Sequence, residues 1–257
     1  NLAMEFSANK GGNTPYMPFP ECGAMTQGYI GYHLQQAIQD ELNARGIKKA
    51  CATVVTQVVV DESDPGFQNP TKPVGSFYTK EEADAIAAEK GFTFVEDSGR
   101  GYRRVVPSPI PKRIVEIETV EQLVSAGVIV ITVGGGGIPV VETGTGLKGV
   151  AAVIDKDRAS SLLARDVKAD QLIILTAVDR VCVNFNKPDQ QELPSMTLAE
   201  AEEYIKQGQF APGSMLPKVQ SCMEFVASNT HGGTALITSL ARAAEALDGK
   251  TGTVVEK

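Results

Sequence analysis

The chain has 257 residues, 42% of them apolar, which suits one large α/β unit or two lobes and excludes a disordered chain. Its formal charge of −7 argues against nucleic acid or an anionic membrane surface as the main partner. Cys22, Cys51, Cys182 and Cys222 lie far apart, with no C-x-x-C pair and only His33 and His231 to help, so no zinc or iron–sulfur spacing is present.

Those cysteines read as reduced thiols of a cytoplasmic protein. No apolar run approaches the roughly 18–20 residues of a membrane span, and no signal peptide opens the sequence. The first residue is Asn1, in a polar segment, as expected of a chain that begins inside a longer protein.

Residues 29–45 predict an amphipathic helix with Ile30, Leu34, Ile38 and Leu42 on one stripe and Gly46 as its stop. Thr53–Val60 follows as a β-branched strand. From Asp61 to Arg113 the composition shifts to prolines, glycines and mixed charges around one short helix, capped by Thr79 and Glu82 and stopped by Gly91. This stretch reads as a small inserted, protruding subdomain. Alternation then resumes. Thr119 and Gln122 mark a capped helix, Val128–Val133 a strand running into Gly134–Gly137, and Val150–Ile154 a strand feeding a helix to about Arg165. Strands at Leu172–Thr176 and Val181–Phe185, a helix capped by Thr197 and Glu200, a helix from Pro217, a strand at Ala235–Thr238 and a last strand at Thr253–Val255 complete the chain. Such alternation predicts a three-layer α/β/α fold on a mostly parallel open sheet. The expected lobes are 1–149, with 61–113 inserted, and 150–257.

Two lysines occupy places that helix physics disfavours. Asp155 is a good N-cap, which puts Lys156 in the first turn of its helix. Pro217 at the first helical position puts Lys218 at the second. A helix N-terminus is partly positive and repels a lysine mildly, whereas a bound phosphate would turn the pair into an anion site. Asp155, between these cations, would hold them or help place Mg²⁺; Asp157 reads as a simple dipole partner. Gly134–Gly137 ends an apolar strand, but Ile138-Pro139 follows, so neither a dinucleotide fingerprint nor a P-loop is satisfied. Four glycines let backbone N–H groups reach an oxyanion. Lys72, between Pro70 and Pro73, is aimed outward from the insertion. Thr176–Asp179 ends a strand, where ligands of open α/β sheets sit. Near-absence of histidine speaks against Ser-His-Asp or Cys-His chemistry and suits phosphoryl transfer, which needs positioning and cations.

Together, Cys22–Ala37, Asp64–Tyr78, Arg103–Ile117, Gly134–Val140, Ala152–Ala164, Leu172–Asn184 and Phe210–Val219 resemble carbamate kinase, of the amino-acid kinase superfamily, in family order. The proline-rich insertion is the diagnostic part, since acetylglutamate and aspartate kinases lack it. The resemblance implies reversible transfer between carbamoyl phosphate and ADP, giving ATP and carbamate. It also implies Mg²⁺, a homodimer and a role in ATP synthesis from arginine. By the same resemblance, Lys156 and Lys218 hold the transferring phosphoryl group and Asp155 organises them. Lys72 reaches over the substrate, Gly134, Gly135, Gly136 and Gly137 cradle it, and Thr176, Val178, Asp179, Phe210, Gly213, Ser214 and Met215 border the nucleotide. No protein-only metal site is expected. The family opens with a strand and glycine-rich segments that this sequence does not include. Ala177 stands where the family has Asp, and Leu216 where it has Gly. A sister kinase acting on a carboxylate, or a silent nucleotide-binding relative, are the alternative readings.

Overall fold

The computed structural model describes residues 17–97 and 99–257. They form two compact units that divide between Lys156 and Asp157.

In the first unit, α1 (Phe19–Ala44) starts ten residues before the expected helix, with a proline in its first turn, where the missing N–H costs nothing. Its buried positions are Cys22, Gln27, Gly31 and Leu42, whereas Ile30 and Leu34 of the expected stripe are exposed. Gly31 is required, because a Cβ there would run into the side chain of Thr53. The run expected as one strand is two, β1 (Cys51–Thr53) and β2 (Gln57–Val60). The break is caused from a distance. The Gln27 amide takes both backbone groups of Thr56, donating to its carbonyl at 3.0 Å and accepting from its N–H at 2.7 Å. An intervening side chain of this kind substitutes for a ladder.

The excursion expected from 61 to 113 contains β3 (Lys72–Tyr78), α2 (Lys80–Lys90), β4 (Thr93–Glu96) and β5 (Tyr102–Val106). Its strands form an antiparallel sheet in the order β3-β5-β4. Thr79 and Glu82 cap α2 reciprocally, and Gly91 ends it in the left-handed conformation, as their spacing dictates. Arg104 is buried with its guanidinium 3.5 Å from the ring centroid of Phe92, a stacking that a planar cation favours. β6 (Pro111–Ile114) returns antiparallel to β2. α3 (Ile117–Ser125) begins ahead of the expected Thr119 cap. The Glu116 carboxylate instead accepts from the N–H and side-chain amide of Gln57 at 2.8 and 2.9 Å. β7 (Ile129–Ile131) pairs parallel with β1, and β8 (Ile138–Thr143) parallel with β2. β9 (Gly146–Gly149) folds back on β8. Residues 150–154 join no ladder, contrary to the expected strand. Their amides make isolated bonds instead, Val150 to the Pro139 carbonyl of β8 at 3.0 Å and Val153 to the Pro107 carbonyl at 2.9 Å.

The second unit packs on one sheet, β10 (Gln171–Thr176), β14 (Thr234–Ser239), β15 (Thr253–Glu256) and β13 (Ser195–Thr197) in that order. β11 (Val181–Val183) and β12 (Gln191–Leu193) make a separate hairpin. The helices are α4 (Lys156–Asp166), which starts at the division between the units, α5 (Leu198–Lys206), α6 (Met215–Ser228) and the short α7 (Ala243–Leu247). Val219, Cys222, Phe225 and Val226 of α6 are fully buried, and they share a core with Ile174, Ile237 and Val255. Burial of such side chains, at about 1.5–3 kcal/mol each, holds α6 to the sheet. The expected parallel pairings are present, with antiparallel ones added beside them. β1–β7, β2–β8, β10–β14 and β13–β15 are parallel, while β6, β9 and β15 add antiparallel pairings to the main sheets. Short returns such as Gly144–Thr145 permit this, since only a parallel pair needs a long crossover.

Candidate active site

Within the first unit the insertion reaches Asp155. Lys72, the first residue of β3, donates from Nζ to Asp155 Oδ2 at 2.7 Å. Asp155 is only 8% exposed, so its charge is largely withdrawn from water and favours a cation beside it. Lys156 follows as the first residue of α4 and is exposed.

The glycine segment is a tight turn. Gly135, Gly136 and Gly137 all have positive φ, and a Cβ on Gly136 would run into the carbonyl oxygen of Ile154. Only glycine fits there. The amides of Gly136 and Gly137 close the turn on Val133 and Gly134. Among the described residues, those of Gly134 and Gly135 make no such turn-closing bond.

In the second unit, α6 begins at Met215 rather than Pro217, which moves Lys218 from the second helical position to the fourth. It is still in the first turn. Lys218 Nζ donates to Asp157 Oδ2 at 2.8 Å, and both side chains are about nine-tenths buried. Asp157 is therefore more than a helix-dipole partner, and the first expectation for it is corrected. The surroundings are dry: burial pushes the thiol of Cys222, one turn beyond Lys218, up to about 12, with the Asp157 charge adding to the rise and Lys218 opposing it.

A cavity of about 390 Å³ opens beyond the end of β10, against the β11–β12 hairpin and the loop before α6. Thr176, Val178, Phe210, Ser214 and Met215 line it. Asp179 and Gly213 are not among its lining residues. Asp179 instead pairs with Arg242 at 3.2 Å, and hydrogen bonding by Ser239 and then Arg242 holds its carboxyl below the usual range. Gly213 supplies a turn at φ 74° ahead of α6. Sequence reasoning missed Arg180, Asn184, Phe185 and Gln209, which also line the cavity. The signal available was Asn184-Phe185-Asn186, where both asparagines adopt positive φ in a hairpin turn, a conformation that asparagine tolerates. Gln209 fixes that hairpin by accepting from the Asn184 amide at 2.8 Å. Of the two departures, Ala177 lines the cavity and Leu216 packs on the second unit's core.

The model of the amino acid kinase family matches residues 23–239. The carbamate kinase of Clostridium perfringens is 56% identical over 255 residues, covering 99% of this chain and 81% of that protein. Carbamate kinase 3 of Staphylococcus aureus is 54% identical over 256 residues, covering 82% of its length. The solved structure of carbamate kinase from Giardia lamblia bound to AMP-PNP superposes with a TM-score of 0.89 at 46% identity, over 99% of this chain and 79% of that one. With its family model matched over most of its length and its curated relatives matched over four fifths of theirs, the chain belongs to the amino acid kinase family and, within it, to the carbamate kinases.

Proposed function

We propose that this chain transfers a phosphoryl group reversibly between carbamoyl phosphate and ADP, giving carbamate and ATP. The observation that carries the proposal is Lys218, a lysine in the first turn of α6, paired with Asp157 at 2.8 Å in a site withdrawn from solvent. Such a cation has no use in packing alone, since a buried ion pair is often less stabilising than an apolar pair. Offered to a transferring phosphoryl group, it stabilises charge without reorganising.

In this proposal Lys156 and Lys218 both act on the phosphoryl group, Asp155 organises the lysines and Lys72 reaches over the substrate. The turn Gly134–Gly137 binds oxygens through its amides. Thr176, Val178, Phe210, Ser214 and Met215 border the nucleotide, joined by Asp179 and Gly213 at the rim. The proposal keeps a three-layer α/β/α arrangement, a substrate lobe at 1–149 with 61–113 closing over the substrate, and a nucleotide lobe at 150–257. Mg²⁺ fits as an ion carried mainly by the nucleotide phosphates, because among the described residues no three His, Cys, Asp or Glu side chains converge on one point. When bound it neutralises phosphate charge. A homodimer belongs to the same proposal, and α1 leaves Tyr29, Ile30, Tyr32 and Leu34 exposed, apolar surface that such a contact would cover. Four free cysteines suit a cytoplasmic location, and none of the described helices is long and apolar enough to cross a membrane.

The insertion favours carbamoyl phosphate over a carboxylate substrate. Assays of the purified protein with ADP plus carbamoyl phosphate, and with ATP plus acetylglutamate or aspartate, separate the readings. ATP formation in the first assay and no ATP consumption in the second is expected. The reverse pattern would make the chain a sister kinase, and calorimetric ADP binding without any turnover would make it a silent relative.

A further inference from the structure

The turn Gly134–Gly137 is held by one buried hydroxyl. Thr56, fully buried, lies in the gap between β1 and β2 with its backbone clasped by the Gln27 amide. Its Oγ1 has three neighbours: the carbonyl of Val54 at 2.7 Å, Thr132 Oγ1 at 2.7 Å and the amide N of Val133 at 3.0 Å. A hydroxyl has one proton to give and two lone pairs to accept with. It therefore donates to Val54 and accepts from Thr132 and from Val133, and its capacity is filled.

Val133 is the residue being held. It sits at φ 47°, ψ 29°, in the left-handed region that a β-branched side chain avoids. Such strain persists only where the surroundings over-determine it, and it gathers at working sites. The next residues are the glycine turn, wedged between Val58 of β2 and the carbonyl of Ile154. The residue after Ile154 is Asp155, which holds Lys72. A network serving the fold alone would have no need of a strained valine.

We infer that Gln27, Thr56 and Thr132 are positioning residues, which aim the Gly134 and Gly135 amides at the phosphate oxygens of the substrate and brace the backbone beneath Asp155. The substrate part of this statement rests on the carbamate kinase function proposed above. In this inference they act through the turn.

The test compares Thr56→Val, which keeps the shape and deletes the hydroxyl, with Thr56→Ser, which restores it, in the full chain. Thr56→Val is expected to raise KM for carbamoyl phosphate about tenfold, the effect of one buried hydrogen bond, with KM for ADP unchanged. Thr56→Ser should return the first value to near wild type. Equal rises in both KM values, no rise in either, or no rescue by serine would overturn the inference. Thr132→Val, at a half-buried position, supplies the same comparison should Thr56→Val not fold. Amide hydrogen exchange separates this inference from the proposed function. Should the wild-type protein make no ATP, faster exchange confined to Gly134–Gly137 in Thr132→Val would still uphold the positioning of the turn, and unchanged exchange would overturn it.

Discussion

Asp157→Ala is expected to destabilise the second unit by about 3–5 kcal/mol and to abolish most phosphoryl transfer. The cause is the position of Lys218, whose side chain is 11% exposed and bonded to Asp157 at 2.8 Å. Removing the carboxylate leaves an ammonium ion in a site dry enough to raise the Cys222 thiol to about 12. That group must then lose its proton or swing out to water, and in both cases no cation waits at the start of α6. A second substitution separates stability from chemistry. Asp157→Leu combined with Lys218→Met replaces the pair by apolar groups, so its urea midpoint should return close to wild type while turnover stays lost. An Asp157→Ala protein within about 1 kcal/mol of wild type would mean that solvent reaches the pair and that its burial does not matter.

Lys156→Ala should separate the same two properties in the opposite sense. Lys156 is exposed and begins α4, where the helix dipole disfavours a cation by about 0.3–1 kcal/mol. Thermal stability should therefore stay within about 1 kcal/mol of wild type. Turnover should fall by roughly 10²–10³, as for loss of a preorganised charge stabiliser. Near wild-type kcat in this variant would remove Lys156 from the chemistry. Loss of stability would show that its role is structural.

Features written within a few residues of each other were legible in the sequence. Two of the three expected capping boxes, Thr79 with Glu82 and Thr197 with Glu200, formed as their spacing predicts, because a cap involves only neighbouring atoms. The apolar face of α6 was legible from its helical period. The α/β class followed from the alternation of such segments, and the relatives bear it out.

What escaped was set by residues far away in the chain. A strand break at Val54–Thr56 could not be read from eight β-favouring residues, because the side chain that makes it is 29 positions earlier. The pairing of Asp157 with Lys218 spans 61 positions, and locally Asp157 looks like any acidic residue in a first turn. The start of α6 at Met215 ahead of a proline was hidden for a related reason. Pro217 still lies within the first three helical residues, where its missing N–H is not needed. The antiparallel pairing of β15 with β14 is set by the partner a strand meets, which four residues of local sequence do not mark.

The central claim is that these charged groups move a phosphoryl group between carbamoyl phosphate and ADP. Phosphorus NMR of ADP, carbamoyl phosphate and Mg²⁺ incubated with the full-length protein tests it most directly. The carbamoyl phosphate resonance should decay as the γ-phosphate resonance of ATP grows in equal amount, and chelating Mg²⁺ should stop both. Decay of carbamoyl phosphate to inorganic phosphate at the uncatalysed rate, with no ATP signal, would contradict the claim.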